Sequence, residues 1–475
     1  MMIVERAKIP LYFVLANFIL YGCFMVSVLT DIWMIAFFGA FFGAFLITQL
    51  YTESSFIISS VLMVLCLQNF VIGLFGKIAS NYGSLSIMTQ VPFIFLAFIF
   101  LFMFFERRIK PNITFLYIFF LLIFIVISFL NKGGSIQGTI VQVRNLIVYF
   151  LAFEIFINCI KKENDFFGFS RQFIIIGIFM TIVAVILLIG GFEFYTKIGI
   201  ANVYAAKGNV GEGVYSLPGR FTSDIFGIHV FRMGGLYYEP VTLSYFFSAE
   251  FIGAITLPWT NNAFNRFFVT VLFGFSLLLT GGKGGMLITF ALLLALVFLK
   301  TFFKNVSPLK IWGVLIGIII FMIFFSLFYS QHFAGPAAAH FITIENTWKN
   351  IISEPMGHGL AQGGFNIVDS GFSYNDKLST GAESALMSIG YQLGLPGMII
   401  LAVIFISITR RVMNSRKEKG LLNNSYNIVI SCIPVVLYGI SIFQLNTFTP
   451  QAIIPFMALM SGAMVLDNNY RVDNV

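Results

Sequence analysis

Charge is what this chain has least of. Asp, Glu, Lys and Arg make up only 10% of its 475 residues, against about 25% in an ordinary soluble domain. Histidine is scarce as well: His229, His332, His340 and His358 are too dispersed for a zinc signature. Cysteine is equally sparse. Cys23, Cys66, Cys159 and Cys432 lie scattered in apolar stretches with no pair at metal-ligand spacing, so they read as small buried thiols. P-loop, nucleotide fingerprint and acidic metal motif are all missing. These absences argue against an ATP-driven machine and a nucleotide-sugar enzyme, and we expect neither metal nor cofactor.

Apolar residues are what is present instead. They form 59% of the chain, 60 of them Phe, and the mean hydropathy is +0.93. A soluble core of this size could not hide so much apolar surface, so lipid is the solvent that suits it. Apolar runs long enough to span a bilayer fall near 9–30, 32–51, 55–76, 86–105, 113–130, 139–160, 173–192, 241–258, 267–280, 286–303, 311–330, 382–408, 427–445 and 451–466. The expected fold is all-α: a polytopic integral membrane protein of about fourteen transmembrane helices, a single transmembrane domain over 1–475. The run at 267–280 is short, which suggests a re-entrant hairpin there. The first run lacks a small-residue cleavage site and is read as the first span, not a signal peptide. No internal repeat or low-complexity segment stands out.

The net charge of +8 has no soluble basic domain to hold it, so nucleic acid is not an expected partner; positive-inside bias explains it better. With a cytoplasmic N-terminus, the clusters Arg107–Lys110, Lys161–Lys162 and Arg410–Lys419 all fall inside. Only Lys77, Lys132, Arg144, Lys197, Lys207, Arg220, Arg232, Lys283, Lys349 and Lys377 fall outside, 10 of the 28 basic residues. Both termini are then cytoplasmic, and two long loops, roughly 193–240 and 331–381, face outward. Loops of that length are usually functional. The first is rich in Gly, Tyr and charge; the second contains Gly-His-Gly-Leu-Ala-Gln-Gly-Gly from Gly357 to Gly364.

Ionisable residues at membrane depth are functional candidates by default. Arg144 lies in a span, where it either binds an anion or snorkels to the interface. Arg232 and Glu239 lie in Phe-Arg-Met-Gly-Gly-Leu-Tyr-Tyr-Glu-Pro, where they either face a ligand or pair with each other. Lys283 sits among four glycines in a tight turn, open to close approach by a ligand or simply an interfacial lysine. Glu383 opens a span, as a reactive acid or as a helix-terminal one favoured by the dipole. His358, between glycines, is a candidate substrate contact or a solvated loop residue. The topology brings Arg144, Arg232, Lys283 and Glu383 to one boundary. Three cations there suit a pyrophosphate, and a carboxylate beside them suits a general base.

At these residues the chain resembles the superfamily of O-antigen and capsular polysaccharide polymerases of the Wzy type and O-antigen ligases. The likeness rests on Arg144; on Arg232, Gly234, Gly235, Glu239 and Pro240; on the turn Thr280 to Gly285; and on Trp348, Ile352, Pro355, Gly357 and Gly359, leading to Glu383 and Gly394. It covers roughly 139–400. The resemblance implies a metal-independent, inverting glycosyltransferase of the bacterial plasma membrane. Its substrates would be undecaprenyl-pyrophosphate-linked oligosaccharides, its surroundings membrane lipids, and its partner a chain-length-regulating membrane protein. Glu383 would be the base, Arg144, Arg232 and Lys283 the pyrophosphate site, and Glu239 and His358 substrate contacts. Ligases are expected to carry His where Glu383 stands, which favours a polymerase. A lipid-linked oligosaccharide flippase is the alternative of another class, and would be expected to show repeat symmetry and deep central cations.

Overall fold

The structure is a computed structural model. It describes residues 11–49, 55–76, 85, 89–109, 113–132, 136–160, 163–206, 217–225, 228–302, 310, 312–313, 316–317, 336–363, 380–381, 383–417 and 425–462. Its helices are α1 (Leu11–Thr30), α2 (Trp33–Gln49), α3 (Ser55–Gly76), α4 (Val91–Phe105), α5 (Ile113–Lys132), α6 (Ile136–Cys159), α7 (Glu163–Lys197), α8 (Ile200–Ala206), the single turn α9 (Leu217–Arg220), α10 (Pro240–Thr256), α11 (Ala263–Thr280), α12 (Lys283–Phe302), α13 (Pro336–Ser353), α14 (Ala385–Lys417), α15 (Ser425–Ile440) and α16 (Pro450–Gly462). A short antiparallel hairpin, β1 (Thr222–Ile225) and β2 (Ile228–Phe231), and 3-10 turns at Gly235–Tyr237 and Leu445–Phe448 complete the described elements.

The protein is all-α in its membrane-forming part. Five helical stretches are long and apolar enough to cross a bilayer: Ser55–Gly76, Gly138–Cys159, Asp165–Lys197, Ala263–Thr280 and Ala385–Met413. The other apolar runs also overlap helices, except 311–330, which lies almost wholly outside the described residues. The re-entrant hairpin expected at 267–280 is replaced by one continuous helix of 18 residues. Asn262 caps α11 by accepting from the backbone N–H groups of Phe264 (2.9 Å) and Asn265 (3.3 Å), so the polar start Asn262–Arg266 joins the apolar run. Phe264, Phe267, Phe268, Val271, Phe275 and Leu278 are exposed along one face of α11, at the spacing of a lipid-facing stripe.

Helices α10 and α16 form the centre. Nearly every residue of each is buried. α10 packs against α7, α11, α12 and α16, while α16 also packs against α6. Two long helices are broken at glycine. Gly191 in α7 has φ 64° and ψ −170°, and Gly394 in α14 has φ 66° and ψ −168°, a conformation essentially closed to residues with a Cβ. The two long loops also contain ordered structure: α8 and the hairpin in the first, α13 in the second.

Candidate functional site

The segment Arg232–Glu239 is held from several sides. Arg232 N–H donates to Phe221 O (2.7 Å) and Met233 N–H to Leu279 O (3.0 Å). Tyr195 accepts from Gly234 N–H (3.2 Å), Tyr204 donates to Tyr238 O (2.8 Å), and Asn69 donates to Tyr237 O (2.5 Å). Tyr238 adopts the left-handed conformation, φ 54°, which turns the chain into α10. Buried backbone groups need such partners, and here they fix the side chains that follow.

Arg232 is half-buried and anchored by one nitrogen: Nε donates to Thr280 O at 2.9 Å. No protein acceptor among the described residues takes its four terminal N–H bonds, and neither terminal nitrogen is a sealed, unsatisfied atom. Among the described residues, the half of the guanidinium suited to bidentate anion binding is therefore open. Of the two alternatives for Arg232 and Glu239, a direct ion pair is not made among the described residues. Glu239 instead accepts from Thr242 Oγ1 (2.8 Å) and Asn446 Nδ2 (3.3 Å). Burial lowers the Arg232 pKa and the charge of Glu239 opposes that shift; an arginine stays cationic regardless.

The glycine-rich turn serves helix packing. A Cβ on Gly282 or Gly285 would collide with Ser244 of α10, and one on Gly284 with the Tyr245 hydroxyl. Gly285 N–H donates to Ser244 Oγ (3.3 Å). The close approach that these glycines permit is thus between α12 and α10, not to a ligand at those backbone atoms. Lys283 itself is exposed.

Arg144 sits eight residues into α6, about 12 Å along its axis, deeper than the span end suggested by the sequence. Each nitrogen of its guanidinium makes one hydrogen bond. Nη1 donates to Gln90 Oε1 (3.0 Å), Nε and Nη2 to Asn145 Oδ1 (3.1 and 3.0 Å), and the group lies over the Phe93 ring at 4.7 Å. A polar seam continues from there: Gln90 bonds Thr89 Oγ1 (2.8 Å), Gln68 donates to Thr89 O (2.6 Å), and Gln451 donates to Gln68 (3.0 Å).

Glu383 stands just before α14, outside the spanning helix. The helix cap is Ser384, whose Oγ accepts from Met387 N–H (3.2 Å), so Glu383 is not the capping residue. Burial pushes the Glu383 carboxyl up to about 7, in the range useful to a general base. The start of α14 docks on the loop between α15 and α16. Leu386 N–H and Ser384 Oγ donate to Ser441 O (3.0 and 3.2 Å), and Ala385 N–H to Gln444 O (3.4 Å). Two residues beyond Gln444, Asn446 holds Glu239. This single loop therefore links the two acids, and Thr447 adds a 3.0 Å hydrogen bond to Tyr245 of α10.

His358 is built into a different place. Its ring stacks on Tyr391 (centroids 4.0 Å apart), Nδ1 lies 3.2 Å from Tyr391 O, and Nε2 lies 3.1 Å from Glu354. Its own N–H and that of Gly359 bond to the carbonyls of Tyr391 and Gln392 at the break in α14. That break is eight or more residues past Glu383, roughly 12 Å along the helix. The structure thus groups Arg232, Glu239 and the Lys283 turn, links Glu383 to them through the 441–449 loop, places Arg144 across a polar seam, and sets His358 apart.

Sequence reasoning passed over Arg220, Asn446 and Glu250. Glu250 is fully buried in α10 against Gly177 of α7, and neither carboxylate oxygen has a hydrogen-bond partner among the described residues. An acid inside the apolar run at 241–258 was the signal available for it. Nothing local marks Asn446. No protein-family model matches the chain, and no curated protein matches it.

Proposed function

We propose that this chain is a polysaccharide polymerase, a metal-independent inverting glycosyltransferase acting on undecaprenyl-pyrophosphate-linked repeat units at the outer face of the bacterial plasma membrane. On this reading about fourteen helices span the bilayer, both termini are cytoplasmic, and the end carrying Arg232, Glu239 and Glu383 faces outward. The observation that carries the reading is the Arg232 guanidinium, anchored by Nε on Thr280 O with its terminal donors open among the described residues.

The chemistry follows from the residues. The acceptor hydroxyl oxygen attacks the anomeric carbon of the growing chain, and its proton passes to the Glu383 carboxylate. The bond from the anomeric carbon to the pyrophosphate oxygen breaks, and the electron pair stays on the departing pyrophosphate. Arg232 binds that developing charge directly, which is electrostatic stabilisation of a leaving group. Arg144, with each guanidinium nitrogen held by an amide oxygen, and the exposed Lys283 supply longer-range positive potential. Glu239, held by Thr242 and Asn446, is placed to accept from a sugar hydroxyl. Pyrophosphate leaves readily, so base catalysis of roughly 10²–10⁴-fold is modest beside positioning. Glu383, where ligases are expected to carry histidine, favours a polymerase over a ligase.

Gene deletion in the source cell tests the proposal. Loss of polymer with single-repeat glycans retained is the expected result. Loss of all surface attachment assigns a ligase instead, and trapped inner-leaflet intermediates assign a flippase.

A further inference from the structure

We propose that the amide side chains lying between Arg144 and Glu239 form a subsite for uncharged, hydroxyl-rich sugar rings; the choice of a glycan rests on the polymerase reading. Hydrogen bonds set out its course. Arg144 donates to Gln90, which donates to Thr89 Oγ1; Gln68 donates to Thr89 O and accepts from Gln451. Gln451 is the second residue of α16, and the 3-10 turn before it carries Asn446, which donates to Glu239. Thr449 ties the two together, its Oγ1 donating to Asn446 O at 2.8 Å. Helix α6 closes the row. Gln142, Asn145 and Tyr149 share one of its faces, at spacings of three and four residues. The Tyr149 ring stacks on Phe448 of that same 3-10 turn, with centroids 6.0 Å apart.

Three of these amides use one atom on the protein and leave the other. Asn145 Oδ1 holds Arg144, Gln451 Nε2 holds Gln68, and Asn446 Nδ2 holds Glu239. Asn145 Nδ2, Gln451 Oε1 and Asn446 Oδ1 take no partner among the described residues, and none of the three is sealed from solvent. Gln142 is half-buried, and its amide makes no bond to the described residues. Half-exposed amides at this depth cannot face hydrocarbon, where an unsatisfied polar group is strongly unfavourable, so they face a wet crevice between the helix ends. The atoms on offer are of both kinds: one donor, two acceptors, and the whole amide of Gln142. An anion cradle presents N–H groups alone. A sugar hydroxyl donates and accepts at once, and that is what this mixture matches. Arg144 and Glu239 bound the row with one charge of each sign, and the side chains between them are neutral.

Saturation-transfer NMR on the full-length protein in lipid nanodiscs tests the subsite without needing transfer activity. The probe is the oligosaccharide released by partial acid hydrolysis of the source cell's surface polysaccharide. It is expected to bind, and inorganic pyrophosphate is expected not to displace it. Gln142→Leu should weaken binding about two- to tenfold, as loss of one hydrogen bond does, at an unchanged melting temperature. Asn145→Asp should weaken it similarly. That variant keeps both acceptor contacts to Arg144 and exchanges only the open N–H donor for a second carboxylate oxygen, so a purely structural role for Asn145 predicts no loss. Should Asn145→Asp fail to fold, Gln142→Leu alone decides. Unchanged affinity in the folded variants overturns the proposal, as does displacement by pyrophosphate, which assigns an anion site instead. Loss of polymer on gene deletion with no oligosaccharide bound overturns the subsite and spares the polymerase reading. Oligosaccharide binding through both amides in a protein whose deletion spares the polymer upholds the subsite and overturns only that reading.

Discussion

The two ends of the helical bundle treat positive charge differently. At the end where α4 stops and α14 runs out, cations meet carboxylates. Arg411 bonds the fully buried Glu154 at 3.1 Å, and Arg108 lies 2.6 Å from Glu106, which Gln49 also contacts. At the other end, Arg232 is held by a carbonyl and Arg144 by two side-chain amides, with no carboxylate partner for either among the described residues. Neutral acceptors satisfy N–H bonds but leave the charge in place. A carboxylate closes a charge off; a carbonyl fixes its direction and leaves it available. The first end pairs its charges, and the second holds them on neutral acceptors.

The largest expected effect separates reactive from structural acids. Glu383→Gln should still insert and bind donor, yet single-turnover transfer by purified protein should fall by a factor on the order of 10²–10⁴. With the carboxyl pushed up to about 7, the base is active when deprotonated. The parent rate should therefore rise with pH, drop about tenfold per unit below that value, and level off above it; Glu383→Gln should lose this dependence. A near-parental rate in Glu383→Gln would leave the site end without its proposed base.

Next in size, Arg411→Ala removes the guanidinium facing buried Glu154. Loss of one partner of a buried pair costs about 3–5 kcal/mol, so the melting temperature in detergent should fall clearly while transfer per folded molecule stays close to parental. A large activity loss at unchanged stability would erase the contrast between the ends. Arg232→Ala should show the reverse pattern: little change in melting temperature, but a loss of about 1.5–3 kcal/mol in transfer, or tenfold to more than a hundredfold. The smallest effect belongs to Lys283→Ala. Its side chain is exposed, and an exposed charge contributes only about 0.2–1 kcal/mol, so polymer yield should change by no more than a few-fold, and less still at high salt. A loss matching that of Arg232→Ala would show that both cations grip the same group.

Much of the bundle was legible in the chain because hydrophobic runs of bilayer length leave few alternatives to helix. The boundary at α11 was missed for a local reason: its first turns are polar and rely on the Asn262 cap, so a hydrophobicity window starts too late. The glycine turn was read as a place for close approach by a ligand; the approach it makes is to Ser244 on α10, about 40 residues away, which carries no local mark. Arg232 and Glu239 are close enough in sequence to suggest a pair, yet Glu239 is taken instead by Asn446, 207 positions away.

The sequence by itself determined the solvent, the helical class and the ionisable residues worth following, because each depends on composition and short-range periodicity. Tertiary structure alone decided which cation is anchored by one nitrogen on a carbonyl, which acid stands one residue before the helix cap in a partly dry place, and which glycines serve packing. Those outcomes depend on where backbone carbonyls and amide side chains from distant segments arrive, and a hydrogen bond is sensitive to that placement within a few tenths of an ångström, far below what hydropathy can resolve.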